Sequence, residues 1–320
     1  LEKQAKSERP ALKTPWLLSR TQTTSTQGLA PTNILVNNNN GATATELFTQ
    51  SETTILAYGN NVITGFNDAG SRAGLVNRFT GYSYSTDGGL TFTDGGNLPA
   101  STDGDAGDPV LARNNTTGRI YFSTLGFSGA RTIQLFRSDD NGLTWLPPVN
   151  ATPGGSTEDK QWMAVDNYAG AGNGNLYLMS RRFSGTVGIY FHRSTDHGST
   201  FSAGLQLFTG GQGAFVEVDP AHNIYAFYIN GSGQILMRKS TDQGLTFAAA
   251  VTVATGLGTS NGDLALTGLR QGTVSYASFR SNSFPHVAIN PVSGHIYVTY
   301  NNNPAGVDKG DVFMTMSTDG

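Results

Sequence analysis

Short apolar runs in pairs, split by Gly, Asn or Pro, fill the chain from about residue 52 onward. Residues 55–58 precede 62–65, and 110–113 precede 119–122. The pattern returns at 163–166 with 175–178, at 216–219 with 223–226, and at 287–290 with 295–298. Runs this short, rich in Val, Ile, Leu, Tyr and Phe and broken by turn formers, predict β-hairpins. Downstream of each hairpin comes Ser-x-Asp-x-Gly-x-Thr followed by an aromatic residue. Complete copies run Ser85 to Phe92, Ser138 to Trp145, Ser194 to Phe201 and Ser240 to Phe247, and a fifth begins at Ser317-Thr318-Asp319-Gly320.

The residue types explain the unit. An Asp two residues before a Gly accepts hydrogen bonds from turn N–H groups, and the Gly takes the positive φ that a tight turn needs. Thr and the aromatic residue then restart a strand and bury a ring. Each unit therefore reads as strand A, turn, strand B, connection, strand C, Asp-containing turn, strand D. Four antiparallel strands repeated in this way predict an all-β fold, a β-propeller of four-stranded blades. Five blades are visible and the fifth lacks strand D. The expectation is a ring of six or seven blades that continues beyond Gly320, the alternative being closure by a strand near Ile34. An insertion occupies about 253–283. Residues 1–32 read as a polar leader, and 33–320 as the propeller domain.

Composition supports a turn-rich β-protein: of 320 residues 41 are Gly, and only 13% are charged. With a net charge of −3 and no basic stripe, nucleic acid is not an expected partner. There is no Cys, so disulfides and thiolate metal sites are excluded. No apolar run reaches the roughly 18 residues of a membrane span.

The repeated unit resembles the Asp box, or bacterial neuraminidase repeat, of sialidases and related propellers, over about residues 52–320. The chain is also similar to secreted bacterial sialidase-like proteins through Gln50-Ser51-Glu52-Thr53, Glu158-Asp159-Lys160-Gln161-Trp162 and Phe284-Pro285-His286. The resemblance implies a secreted or cell-surface protein that recognises glycans without a required cofactor, acting as a glycoside hydrolase. Sialidases hold their substrate with three arginines, the first in an Arg-Ile-Pro motif, and use a Tyr nucleophile with Glu and an Asp acid/base. No Arg-Ile-Pro occurs here; the nearest string, Arg119-Ile120-Tyr121, belongs to a different hairpin. The alternative is therefore a non-catalytic propeller that binds glycan or protein in a surface assembly.

Blade geometry sorts the candidates. The A–B and C–D turns emerge on one face, so Asp87, Asp140, Asp196 and Asp242 are turn-stabilising. The B–C and D–A connections emerge on the other face, where carboxylates and arginines gather, as suits a polar or anionic sugar. Asp159, Glu158 and Asp68 are the acid/base candidates there. Arg78, Arg181 and Arg182 are the anion-binding candidates, while Trp162 and His286 either stack on a sugar or fill the core. Aligned hairpins put Asp108, Gln161, Ala214 and Pro285 in one position and Pro109, Trp162, Phe215 and His286 in the next. Asp103, Asp105 and Asp108, close together in one loop, are a candidate Ca²⁺ site.

Overall fold

The computed structural model describes residues 33–38, 50–69, 78–257, 282–302 and 310–320. The expected leader at 1–32 and most of the 253–283 insertion lie outside the described residues. The chain divides into two units, Leu1–Ile34 and Leu35–Gly320, and every element below belongs to the second.

Among the described residues, nineteen strands form five antiparallel sheets, each following the chain in order. The first sheet contains β1 (Gln50–Tyr58), β2 (Asn61–Asp68), β3 (Thr80–Ser85) and β4 (Thr93–Asn97). The second contains β5 (Val110–Arg113), β6 (Ile120–Leu125), β7 (Ile133–Ser138) and β8 (Leu146–Asn150). β9 (Glu158–Val165), β10 (Leu176–Arg182), β11 (Gly188–Ser194) and β12 (Leu205–Phe208) make the third. The fourth is β13 (Gln212–Val218), β14 (Ile224–Ile229), β15 (Ile235–Ser240) and β16 (Val251–Ala254). A three-stranded fifth sheet holds β17 (His286–Ile289), β18 (Ile296–Asn302) and β19 (Asp311–Ser317). The expected strand at Ile34 is absent: 33–38 is irregular, with Leu35 78% exposed.

The first strands of successive sheets lie against one another: β1 on β5, β5 on β9, β9 on β13 and β13 on β17. The core fills the spaces between neighbouring sheets. Ile63 and Tyr82 of the first sheet meet Phe122, Phe136 and Trp145 of the second, and Leu135 meets Met163 and Leu178 of the third.

Each Asp-containing turn closes on itself. In all four complete copies the Ser Oγ donates to the Asp Oδ1 at 2.7 Å. The Thr Oγ1 donates to the same Asp's Oδ2 at 2.5–2.6 Å. These bonds hold the Asp242 carboxyl down to about 2, the Thr246 hydroxyl contributing most. The turn's aromatic then packs backward onto the preceding sheet. Trp145 sits edge-on 5.6 Å from Tyr82 of the first sheet, and 5.2 Å from Phe122 of its own, while Phe247 sits 4.9 Å from Phe191 of the third sheet. A Cβ on Gly244, which has φ +79°, would collide with that same Phe191 ring, so the position requires glycine for space as well as for conformation.

Candidate functional site

Because all five sheets run in order, the starts of β1, β5, β9, β13 and β17 share the face opposite the Asp-containing turns. A cavity of about 1140 Å³ opens there, lined by residues from every sheet. One backbone device builds it. The register of β1 on β2, β9 on β10 and β13 on β14 slips just inside each strand's start, the mark of a β-bulge. At the bulge one residue takes a left-handed φ: Glu52 at 51°, Lys160 at 48° and Gly213 at 64°. Asp108, two residues before β5, repeats it at 55°.

Strand pairing fixes the equivalences. Ser138, Ser194, Ser240 and Ser317 pair with Ile120, Leu176, Ile224 and Ile296. Counting back along the first strands puts Val110 level with Trp162, Phe215 and His286. The second sheet is thus shifted by one residue from the sequence alignment, and Asp108 corresponds to Lys160 and Glu52 instead of Gln161.

Three acids and an amine, Glu52, Asp108, Asp159 and Lys160, line the cavity. The Asp108 carboxyl is close enough to those of Glu52 and Asp159 for each pair to perturb the other's ionisation. Like charges brought this close disfavour a second ionisation, so a neighbouring carboxylate raises its partner. Burial first, then Glu52, pushes Asp108 up to about 7, against the pull of Lys160. Asp159 is raised too, by burial and then by Asp108. Burial lowers Lys160, while Asp108, Glu52 and Asp159 act to raise it. The backbone locks the group: Asp108 N donates to Asn67 Oδ1 at 2.7 Å, Lys160 N to Asp159 Oδ1 at 2.6 Å, and Gln161 Nε2 to the Asp108 carbonyl.

Aromatic rings form the wall beside this cluster. Trp162 stacks on Phe215 at 4.4 Å, and His286 meets both rings edge-on at 5.6 and 5.4 Å. Lys160 Nζ lies 5.7 Å from the rings of both Trp162 and Phe284. Trp162 is thus partly in the core, while His286 is exposed on the cavity, its imidazole held below the usual range by burial and by Lys160.

Among the sequence candidates, Asp159, Arg181, Trp162, His286 and Asp108 border the cavity. Glu158 and Arg182 do not. They form an ion pair at 2.6 Å inside the third sheet, where Glu158 also accepts from Ser180 Oγ at 2.7 Å and Arg182 lies 3.7 Å over Tyr190. Arg78 donates twice to the Leu98 carbonyl, at 3.1 and 2.8 Å. Asp68 accepts from Gln50 Nε2 at 3.1 Å. The Ca²⁺ candidates diverge: Asp105 is buried and accepts from Phe79 N and Thr80 Oγ1, both at 2.7 Å, whereas Asp108 turns to Glu52. Among the described residues, no three His, Cys, Asp or Glu side chains are grouped to hold a metal ion. Glu52 and Lys160 were not among the sequence candidates: the distance from the bulge to the Ser of its sheet's Asp-containing turn varies from sheet to sheet, so only strand pairing brings these positions into register.

No protein-family model matches the chain. No curated protein matches it in sequence. Solved structures do match in fold. The chain is similar to an intramolecular trans-sialidase from Ruminococcus gnavus, solved with oseltamivir carboxylate: 14% identity, TM-score 0.54, covering 83% of this chain and 80% of that one. It is similar to the leech intramolecular trans-sialidase at 13% identity and TM-score 0.52, covering 84% of this chain and 60% of that one. A polysaccharide lyase, an ulvan lyase solved with a GlcA–Rha3S repeat, matches at 12% identity and TM-score 0.50, covering 83% and 67%. These neighbours are carbohydrate-active enzymes, and at such identities the likeness is one of fold.

Proposed function

We propose that the cavity binds a glycan and cleaves it by general acid–base chemistry, with Asp108 as the acid. The carrying observation is the Asp108 carboxyl set beside Glu52 and Asp159 in the lining of one large polar cleft. A carboxyl kept protonated up to about 7 can protonate a leaving glycosidic oxygen at neutral pH. Asp159 or Glu52, beside it, supplies the base or nucleophile. Lys160 offsets their charge, and His286 lines the sugar's path. The fold neighbours support a carbohydrate substrate, and the five ordered sheets support a β-propeller of the Asp-box type. Polymeric glycans are met outside the cytoplasm, so a secreted or cell-surface location goes with this reading.

A panel of oligosaccharides and aryl glycosides, sialosides included, tests it. Wild-type turnover is expected to have a descending pH limb near 7, and Asp108→Asn is expected to lose about 10²- to 10⁴-fold in kcat/KM while still folded. Turnover that is unchanged in Asp108→Asn removes the assignment. Tight binding without turnover establishes the non-catalytic propeller in its place.

A further inference from the structure

Lys160 sits at the β9 bulge, with φ 48°, and lines the cavity. Its Nζ lies 5.7 Å from the rings of both Trp162 and Phe284, and among the described residues it makes neither a hydrogen bond nor an ion pair. The ionisable groups that share the cavity with it are Glu52 of β1, Asp108 before β5, Asp159 on its own strand, Arg181 of β10 and His286 of β17. The three acids act to hold the amine charged, yet burial outweighs them and lowers it. Lys239, the other lysine among the described residues, lies outside the cavity, on β15 and 5.0 Å over the Tyr225 ring. An unpaired amine that gives up its proton readily beside apolar rings is a nucleophile. A carboxyl beside it that keeps its proton, as Asp108 does, is the acid that a condensation needs.

We propose that Lys160 is a carbonyl-reactive amine, and that the cavity captures an aldehyde, such as the open-chain form of a reducing sugar, as an imine on its Nζ. The Nζ lone pair forms the C–N bond while the carbonyl π pair moves to oxygen, which takes a proton from the nitrogen to give a carbinolamine. Asp108 then donates its proton to the departing hydroxyl and recovers one from the nitrogen. One water leaves, and no further reactant is consumed. This capture goes beyond glycan cleavage and does not require it.

Reductive trapping of the full chain tests it, with cyanoborohydride and either glyceraldehyde or galactose as the aldehyde, and with methyl galactoside, which has no aldehyde to offer, as the control. Peptide mapping reads each lysine separately. Near neutral pH, Lys160 is expected to be labelled about tenfold or more faster than Lys239, since each unit of lowering leaves tenfold more free amine. Its rate is expected to level off below the alkaline range in which an ordinary lysine is still gaining free amine. Asp108→Asn is expected to slow labelling at Lys160 several-fold and to leave Lys239 unchanged. Equal rates at the two lysines overturn the proposal, as does labelling of Lys160 confined to alkaline pH. Labelling of Lys160 in a protein that turns over no glycoside keeps the reactive amine and removes the acid–base reading, and turnover with Lys160 unlabelled does the reverse.

Discussion

Asp108 carries three conditions at once: a left-handed backbone, partial burial and a carboxyl partner. Left-handed φ costs a non-glycine residue on the order of 1 kcal/mol. Burying a carboxyl beside another costs more, and both costs fall where the side chain meets the cavity. The electrostatic part has a definite sign. The unfolded chain releases the Asp108 proton near 3.8, while the folded protein keeps it to about 7. Across that window the native state binds more protons than the unfolded state, so this group's contribution to stability declines as pH rises. Asp108→Asn abolishes the effect. The variant's melting temperature relative to wild type is expected to climb between pH 4.5 and 7.5 and to level off above about pH 8. A difference independent of pH would mean that the Asp108 carboxyl is not raised in the folded protein.

At the scale of the element, the Asp-containing turn joins sheets as well as ending strands, because its aromatic and its Gly press on the sheet before. Trp145 is 8% exposed among Ile63, Tyr82 and Phe122, whereas Phe92, in the first copy, is only half-buried. Trp145→Ala is therefore expected to cost about 3–5 kcal/mol, and Phe92→Ala no more than about 1–2 kcal/mol. Urea unfolding of the two variants decides it, and equal costs would refute the wedge role. These turns were legible in the sequence because Ser, Asp, Gly and Thr act within one local loop. The cavity was legible only in part. In a strand neighbouring side chains face opposite ways, so Asp159 and Arg181 reach the cavity while Glu158 and Arg182, one residue away, turn inward to pair. Apart from Gly213, the bulge positions were hidden, since Glu52, Asp108 and Lys160 hold left-handed conformations with none of the Gly or Asn that announces them.

In the whole molecule, the cavity takes one strand start from each of five sheets, so its shape depends on how each sheet seats on the next. A repeated latch contributes on the opposite face. The residue after each turn Asp has a left-handed φ, and in the second, third and fourth copies it is Asn141, His197 and Gln243. Each reaches the sheet before it: Tyr58 OH donates to Asn141 Oδ1 at 2.9 Å, Asn114 Nδ2 lies 3.3 Å from His197 Nδ1, and Asn175 Nδ2 donates to Gln243 Oε1 at 3.1 Å. Gly88 fills the position in the first copy. Substituting glycine relieves about 1 kcal/mol of backbone strain and removes a bond of similar net worth, roughly 0.5–1.5 kcal/mol. The partner's burial then decides the sign. Tyr58 is half-exposed, and its hydroxyl can turn to water once Asn141 is gone. Asn175 is 6% exposed and keeps only the Tyr177 hydroxyl, at 3.2 Å, when Gln243 is removed. Asn141→Gly is thus expected to be neutral or slightly stabilising, and Gln243→Gly to lower the melting temperature, the deficit disappearing when Asn175→Ala is added. If both glycine variants are stabilised alike, the left-handed side chains are tolerated strain and no latch.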